Sequence, residues 1–249
     1  MIRRPMGTPM KAMLFGACLA FAGTASAAAA HPDFSGNWER YPRPGEKADP
    51  RYAPTPIPNP QLKPQYRAEW AAGQKILAER LSESQPPGDN YVHCIPDGMP
   101  AMMMGMFPME VMQRPEQINI TQEAFNQTRR IYMNQKLPKW DEVDPSFYGN
   151  SVGHWEGDTL VIETTGIKQN VRFRWTPHSE AMKITERIRL LAPDILQDQI
   201  SVEDDYLEKP WTYSYSFKRM KDYKIQEYIC EDNREYVDQN GKVHLKIKD

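Results

Sequence analysis

The sequence has few cysteines, no long apolar run and no surplus of positive charge, and each absence excludes a class of protein. Three cysteines in 249 residues cannot form a disulfide-dense scaffold. No stretch of about 18 apolar residues is present to span a bilayer, so we expect no stable membrane insertion. A formal net charge of −2 leaves no basic excess to neutralise phosphates, which argues against a nucleic-acid partner.

Several motifs of cofactor and metal chemistry are missing as well. The chain contains no P-loop, no dinucleotide-binding fingerprint, no H-E-x-x-H and no C-x-x-C pattern. Its five histidines are scattered rather than spaced as metal ligands. We therefore expect any chemistry to need no cofactor and no metal ion. None of these sequence features determines the oligomeric state.

The first 27 residues have the features of a secretory signal peptide. Arg3, Arg4 and Lys11 form a positive n-region, a short apolar stretch follows over residues 12–22, and Ala25-Ser26-Ala27 fits an A-x-A cleavage site. The apolar stretch is too short for a membrane anchor. We expect a periplasmic or secreted protein that is cleaved after Ala27.

Loss of the leader removes Cys18 and leaves Cys94 and Cys230. Two cysteines in an oxidising compartment most simply form one disulfide bond. This bond would close a loop of about 137 residues and contribute on the order of 5 kcal/mol in the chain-entropy model. The alternatives are two buried free thiols or a catalytic thiol.

Proline is abundant near the start of the mature chain. Nine prolines between residues 31 and 64 fix φ and remove hydrogen-bond donors, so this segment is expected to be extended. The expected layout is a signal peptide at 1–27, a Pro-rich arm with one short strand at 28–64, a helix plus β-barrel domain at 65–231 and a polar tail at 232–249.

One clear helix is predicted over residues 65–83. Tyr66, Trp70, Leu77 and Leu81 recur at helical spacing on one stripe. A proline at position 64 suits the first turn of a helix. We expect this helix to cover a sheet or the mouth of a barrel.

From residue 117 onward the apolar period changes to two, which is typical of β-strands. Turn residues separate the strands at intervals of roughly ten residues, and this spacing predicts a barrel or a sandwich. We favour a mostly β fold with a single antiparallel barrel, lipocalin-like or cone-shaped. The predicted strands include Gln127–Asn134, Thr159–Thr165, Met182–Leu191, Ile195–Glu203, Trp211–Met220 and Lys224–Cys230.

Polar residues interrupt the apolar face of three predicted strands. Glu186 lies between Ile184 and Ile188, and a buried carboxylate needs a partner or a raised pKa. One of Arg129 and Arg130 must face inward, so we expect an arginine to pair with Glu186 inside the barrel. This pair either orients a ligand or fixes strand register. Asp198 is a third position of this kind, and we expect its role to be structural.

Further candidate acid–base and ligand-binding groups surround these positions. His154 beside Glu156 is expected at a hairpin tip, His178 on a loop before the Glu186 strand, and Tyr132 is a candidate donor. Each of these also has a purely structural interpretation. The residues expected to line an apolar pocket are Trp155, Trp211, Tyr213, Tyr215, Met102 and Met106.

Seven methionines cluster between Met99 and Met112. Thioethers are soft ligands that bind Cu(I), so a copper site is one interpretation. Methionine also fills irregular apolar gaps and lines adaptable pockets, and we favour this second interpretation.

The motifs resemble those of a family of secreted bacterial proteins over roughly residues 33–232. The resemblance is carried by a C-x-P-x-G-x-P segment at 94–100, by Gly153-His154-Trp155-Glu156-Gly157-Asp158-Thr159-Leu160, and by shorter pieces at Arg129–Tyr132, Pro177–Ser179, Glu186–Arg187 and Pro210–Thr212. It implies a secreted, mostly β protein with a lipocalin-like barrel, and it transfers no reaction. Some cofactorless enzymes that cleave lignin-derived dimers work in similar small barrels, which is an analogy of fold alone.

Together these features predict a barrel that holds a small apolar or aromatic molecule. We expect a cofactor-independent lyase or isomerase that uses acid–base chemistry. His154 and Glu186 would exchange the proton, and Arg129 or Arg130 would orient an anionic or phenolic oxygen. A non-catalytic carrier of the same ligand and a Met-rich copper-binding protein are the alternatives.

Overall fold

The structure is a computed structural model, and it describes residues 31–85, 93–104, 107–230 and 236–244. The predicted signal peptide at 1–27 and the candidate ligand residue Met106 lie outside the described residues. So does part of the C-terminal tail.

Nine strands close into a single barrel. Each strand pairs with the next one along the chain, and the ninth pairs with the first. The bounds of the nine strands are β1 (Gly36–Tyr41), β2 (Met109–Gln113), β3 (Gln117–Gln122), β4 (Gln127–Met133), β5 (Asn150–Glu156), β6 (Thr159–Thr165), β7 (Lys183–Ala192), β8 (Ile195–Glu203) and β9 (Trp211–Met220). Six of these strands, β3, β4 and β6 to β9, confirm strands predicted from residue 117 onward.

One pairing departs from the expected antiparallel barrel. Strands β4 and β5 are parallel, with Ile131 opposite Ser151, whereas the other neighbouring strands of the barrel run antiparallel. A parallel pair needs a connection that returns the chain to the starting end of the sheet. Residues 134–149 form this connection, so the expectation of a wholly antiparallel barrel is wrong at this pair.

The prediction of a strand at Lys224–Cys230 is also wrong, because the structure has no strand over these residues. The barrel is already closed by β9, whose two edges pair with β8 and β1. A strand that follows β9 has no free edge to join. Instead, the backbone N–H of Gln226 donates to Glu123 Oε2 and Asn126 Nδ2 donates to the carbonyl of Tyr228.

Helix α1 spans Pro64–Ser82 and packs on the turn at Phe173–Trp175. Tyr66, Trp70 and Leu77 are partly buried as the stripe predicts, but Leu81 is 59% exposed, so the packed stripe ends before it. Gly73 faces the turn, and a Cβ at this position would lie 2.7 Å from the Cβ of Trp175. Only glycine allows this close approach of helix and turn.

The Pro-rich arm is part of the barrel wall. Strand β1 lies inside it and pairs with both β2 and β9. Farther along the arm, the N–H of Thr55 donates to Ser214 Oγ at 2.8 Å, and Trp211 Nε1 donates to the carbonyl of Pro58 at 2.8 Å. At the other end of the chain, two short strands, β10 (Tyr236–Val237) and β11 (Val243–His244), pair with each other.

The predicted disulfide between Cys94 and Cys230 is confirmed. Its Cα atoms are 5.7 Å apart, and the two residues are separated by 136 positions in sequence. The bond ties the segment after β9 to the segment before β2.

Candidate functional site

A buried ion pair lies in the barrel interior between β4 and β7. Arg129 Nη1 donates to Glu186 Oε1 at 2.8 Å, and Nη2 donates to Oε2 at 2.5 Å. The two side chains are 1% and 0% exposed. The structure thus selects Arg129 as the inward-facing arginine and pairs it with Glu186, in the two-pronged geometry that guanidinium and carboxylate groups favour.

Two hydroxyls complete the coordination of Arg129. Its Nε donates to Ser151 Oγ at 3.1 Å, and Nη2 also donates to Thr164 Oγ1 at 2.8 Å. Ser151 is the central residue of a G-x-S-x-G stretch at 149–153. This stretch forms strand β5 rather than the strand–turn–helix of a nucleophile elbow. Ser151 therefore supports the arginine and is not placed as a nucleophile.

A second buried carboxyl lies beside this ion pair. Asp198 is 0% exposed, and neither of its carboxyl oxygens has a hydrogen-bond donor from the protein. Burial and the negative charge of Glu186 raise the pKa of Asp198 well above its ordinary value of 3.8, with partial compensation from Arg129. A neutral Asp198 can donate its own proton to Glu186, whereas two carboxylates can only repel each other. Burial and the neighbouring charge of Glu186 therefore both favour the protonated form of Asp198.

Two tyrosine hydroxyls belong to the same interior. Tyr213 and Tyr215 on β9 are 1% and 3% exposed, and Tyr215 lies opposite Asp198 in the sheet register. Neither hydroxyl has a hydrogen-bond partner among the residues that the structure describes. Burial is the main cause that raises the pKa of both phenols. We call Asp198, Tyr213 and Tyr215 the interior polar triad.

We expect Asp198→Asn to change the pH dependence of stability. The folded state keeps the Asp198 proton above pH 3.8, where the unfolded chain releases it, so the wild type loses stability as pH rises from about 4 towards the raised pKa. The loss is about 1.4 kcal/mol per pH unit inside this window. In urea unfolding, Asp198→Asn should therefore have a higher free energy of unfolding than the wild type at pH 8. This difference should shrink towards pH 4.

The matched control for this experiment is Asp194→Asn, which changes an exposed carboxylate in the turn between β7 and β8. It should leave the pH profile of the wild type unchanged. If Asp198→Asn follows the wild-type profile as well, Asp198 is ionised in the fold and our assignment is wrong.

An aromatic series runs along β9 beside the triad. The ring centroids of Trp211 and Tyr213 are 5.3 Å apart, and those of Tyr213 and Tyr215 are 5.6 Å apart. Phe173, which enters from the turn before β7, contacts the rings of Trp211 and Tyr213. The expected ligand-lining residues of β9 therefore lie together on the interior face.

His178 lies on the loop between Phe173 and strand β7, as predicted. Its ring is buried between two backbone carbonyls, with Nε2 2.9 Å from the oxygen of Val171 and Nδ1 2.8 Å from that of Ser179. It lines a small cavity with Phe173, Thr176 and Trp211. The space open to the centre of a water molecule is about 20 Å³, which holds about one water.

The methionine segment packs into the barrel. Met99, Met102 and Met103 are essentially unexposed, and the carbonyl of Met102 accepts a hydrogen bond from Gln122. Their thioethers belong to the hydrophobic core of the barrel. This burial favours the packing interpretation of the cluster over a copper site, because an incoming ion would have to reach buried sulfur atoms.

His154 and Trp155 do not join this interior site. His154 lies on β5 with its side chain 45% exposed and Nε2 3.3 Å from Glu156 Oε1. The other carboxylate oxygen of Glu156 pairs with Arg187. Trp155 stacks on His31 at a centroid distance of 4.6 Å. The expected acid–base pair of His154 and Glu186 is therefore not formed, because one residue faces the solvent and the other the barrel interior.

Arg130 and Tyr132 also lie on the outside of the barrel. Arg130 is exposed, and Tyr132 is 41% exposed, since both alternate with the inward residues Arg129 and Ile131. Of the six expected acid–base residues, the structure brings Arg129 and Glu186 together. His178 lies on the loop before β7, and His154, Arg130 and Tyr132 face outward.

The interior residue that sequence reasoning undervalued is Asp198. It interrupts an apolar face between Leu196 and Ile200, which is the same signal that identified Glu186. Phe173 and Thr176 carried no comparable signal, because they lie in a turn without periodicity.

Comparison with known proteins adds no assignment. No family profile matches the chain, and a search of curated proteins returns no match. Across the part of the chain that the structure describes, no cluster of His, Cys, Asp and Glu side chains is arranged to hold a metal ion. Within the same part, no helix is long and apolar enough to cross a membrane.

Proposed function

We propose that the barrel interior binds a small apolar or aromatic molecule that carries one oxygen atom, and that this oxygen pairs with the interior polar triad. The observation that carries the proposal is that the hydroxyls of Tyr213 and Tyr215 have no hydrogen-bond partner among the described residues, while Asp198 has only the neighbouring carboxylate of Glu186. Buried polar groups are nearly always hydrogen-bonded. The rings of β9 supply the apolar wall that such a ligand needs.

The chemistry we propose is cofactor-independent acid–base catalysis of the lyase or isomerase type. A carboxyl that stays neutral at neutral pH can donate a proton to a carbonyl or phenolic oxygen. Asp198 takes this role in place of His154. After this transfer, the Asp198 carboxylate can take back a proton from a neighbouring carbon of the ligand, so that no proton is gained or lost overall. Glu186, held against Arg129, lies beside Asp198.

A non-catalytic carrier of the same ligand is the second candidate, favoured by the outward position of His154. The two candidates differ in turnover. If the protein is an enzyme, Asp198→Asn keeps ligand binding but loses turnover. If the protein is a carrier, even the wild type turns over no bound compound.

The disulfide bond also bears on the compartment in which the protein acts. We propose that the protein is exported and acts in the periplasm or outside the cell, since a disulfide bond is typical of an oxidising compartment. We also propose that the barrel acts as a lipocalin-like container, with the ligand held by residues that face inward.

Phenol and toluene are a matched pair of probes, because they differ by a hydroxyl in place of a methyl group. We expect calorimetric titration to give tighter binding of phenol. Loss of one hydrogen bond in Tyr213→Phe or Tyr215→Phe should weaken phenol binding about tenfold and leave toluene unchanged. Tyr132→Phe removes the same hydroxyl from the outer surface and is the control. Equal affinities for phenol and toluene in the wild type would contradict the proposal.

A further inference from the structure

Phe173 occupies an aromatic slot beside the interior polar triad. Its ring centroid is 5.7 Å from that of Trp211 and 5.8 Å from that of Tyr213, and its side chain is 6% exposed. Trp211 and Tyr213 belong to strand β9, whereas Phe173 reaches them from a turn between β6 and β7. A ring delivered by a turn can leave without breaking the sheet.

A small cavity adjoins this slot, and it contains a polar atom without a partner. Thr176 lines the cavity and is 7% exposed, and its hydroxyl makes no hydrogen bond. The remaining wall is largely apolar, with Phe173, Val171, Met182 and Trp211 among its residues. An apolar wall with one unsatisfied hydroxyl is suited to an apolar ligand with one oxygen.

The turn that carries Phe173 is held in place by contacts with helix α1. Arg174 and Trp175 have φ values of 50° and 60°, a left-handed conformation that residues other than glycine rarely adopt. Helix α1 holds them there, because Gln74 Nε2 donates to the carbonyl of Arg174 at 2.8 Å and Gly73 lies directly against Trp175. The position of Phe173 in the slot therefore depends on the contact between this turn and helix α1.

We propose that Phe173 is a gate that fills, in the closed protein, the position of the ligand's aromatic ring. The ligand is then a compound with a single aromatic ring that enters from the Thr176 cavity and displaces Phe173 from its contacts with Trp211 and Tyr213. This inference rests on the proposed function for the identity of the site. It adds the shape of the ligand and its route of access.

Two variants open the gate by different means. Phe173→Ala empties the slot, and Gly73→Ala places a methyl group 2.7 Å from Trp175 Cβ and pushes the turn away from the helix. An open state that is populated at about 10% or less in the wild type then becomes the main state, so toluene affinity should rise at least about tenfold in both variants. Toluene is the probe because the gate acts on the ring and not on the oxygen.

The controls separate a gate from a simple cavity. Phe34→Ala removes another buried ring, one that packs against Trp155 and not against the slot, and it should not give the tenfold rise in toluene affinity. A gain in Phe173→Ala without a gain in Gly73→Ala means that a cavity was created and overturns the gate. If Phe173→Ala does not fold, Phe173→Leu replaces it.

Failure of the gate and failure of the proposed function give different results. Unchanged toluene affinity in Gly73→Ala contradicts the gate, whatever the preference for phenol. A gain for toluene with no preference for phenol in any variant supports the gate and contradicts the polar role of the triad. If neither probe binds to any variant, both proposals are wrong.

Discussion

Arg129→Met is expected to lower the free energy of unfolding by about 3–5 kcal/mol, because it leaves the carboxylate of Glu186 buried without its partner. Glu186 is 0% exposed, so water cannot replace the lost guanidinium without opening the barrel. The hydroxyls of Ser151 and Thr164 lose a donor in the same change. Asp198, next to Glu186, also loses the positive charge of Arg129, which lowers its pKa in the wild type.

Urea unfolding at neutral pH measures this effect. The control is Arg130→Met, which removes the neighbouring arginine from the exposed face of the same strand and should change stability by about 0.5 kcal/mol or less. The double variant Arg129→Met/Glu186→Leu should recover most of the loss, since an apolar pair can replace a buried ion pair. Equal effects of Arg129→Met and Arg130→Met would show that the pair is solvated and that the interior site is not as described.

Removal of the disulfide has the second large effect. With 136 positions between Cys94 and Cys230, the chain-entropy model gives a loss of about 5 kcal/mol for Cys94→Ser/Cys230→Ser. The bond restricts the unfolded chain more than it shapes the barrel, which closes through β1 and β9. We therefore expect the double variant to keep the barrel and to unfold at a lower urea concentration.

A reducing agent provides the internal control for this prediction. Dithiothreitol should lower the unfolding midpoint of the wild type to that of the double variant and leave the double variant unchanged. An oxidised wild type that unfolds at the same urea concentration as the double variant would contradict a stabilising role for the bond.

Strand alternation allowed much of the barrel to be predicted from the sequence. The pattern of Trp211, Tyr213, Tyr215 and Phe217 identified the inward face of β9, and the same reasoning placed Glu186 inside. Successive side chains of a strand point to opposite faces, so the position of one residue fixes the others. This is also why Arg129 and not Arg130 meets Glu186.

The features that could not be predicted depend on long-range pairing. The parallel contact of β4 and β5 follows from the path of residues 134–149, which no periodicity describes. The same pairing sets which face of β5 is buried, and it puts Ser151 inside and His154 outside. A shift of one residue reverses every side chain of a strand, so a motif alone could not assign His154 to the interior.

The interior contains more polar groups than a structural ion pair needs. Arg129 and Glu186 satisfy each other, and a pair of this kind could serve strand register alone. The interior polar triad is different, because the hydroxyls of Tyr213 and Tyr215 have no partner among the described residues and Asp198 has only the carboxylate of Glu186 beside it. This difference is the basis for proposing a ligand and not only a structural network.

A crystal structure of the protein grown with phenol tests the central claim most directly. Our account predicts a phenol molecule inside the barrel, with its oxygen within hydrogen-bonding distance of Asp198 or of the hydroxyls of Tyr213 and Tyr215, and with Phe173 displaced. A barrel in which ordered water molecules satisfy all three side chains, with Phe173 in place and no phenol inside, would contradict it.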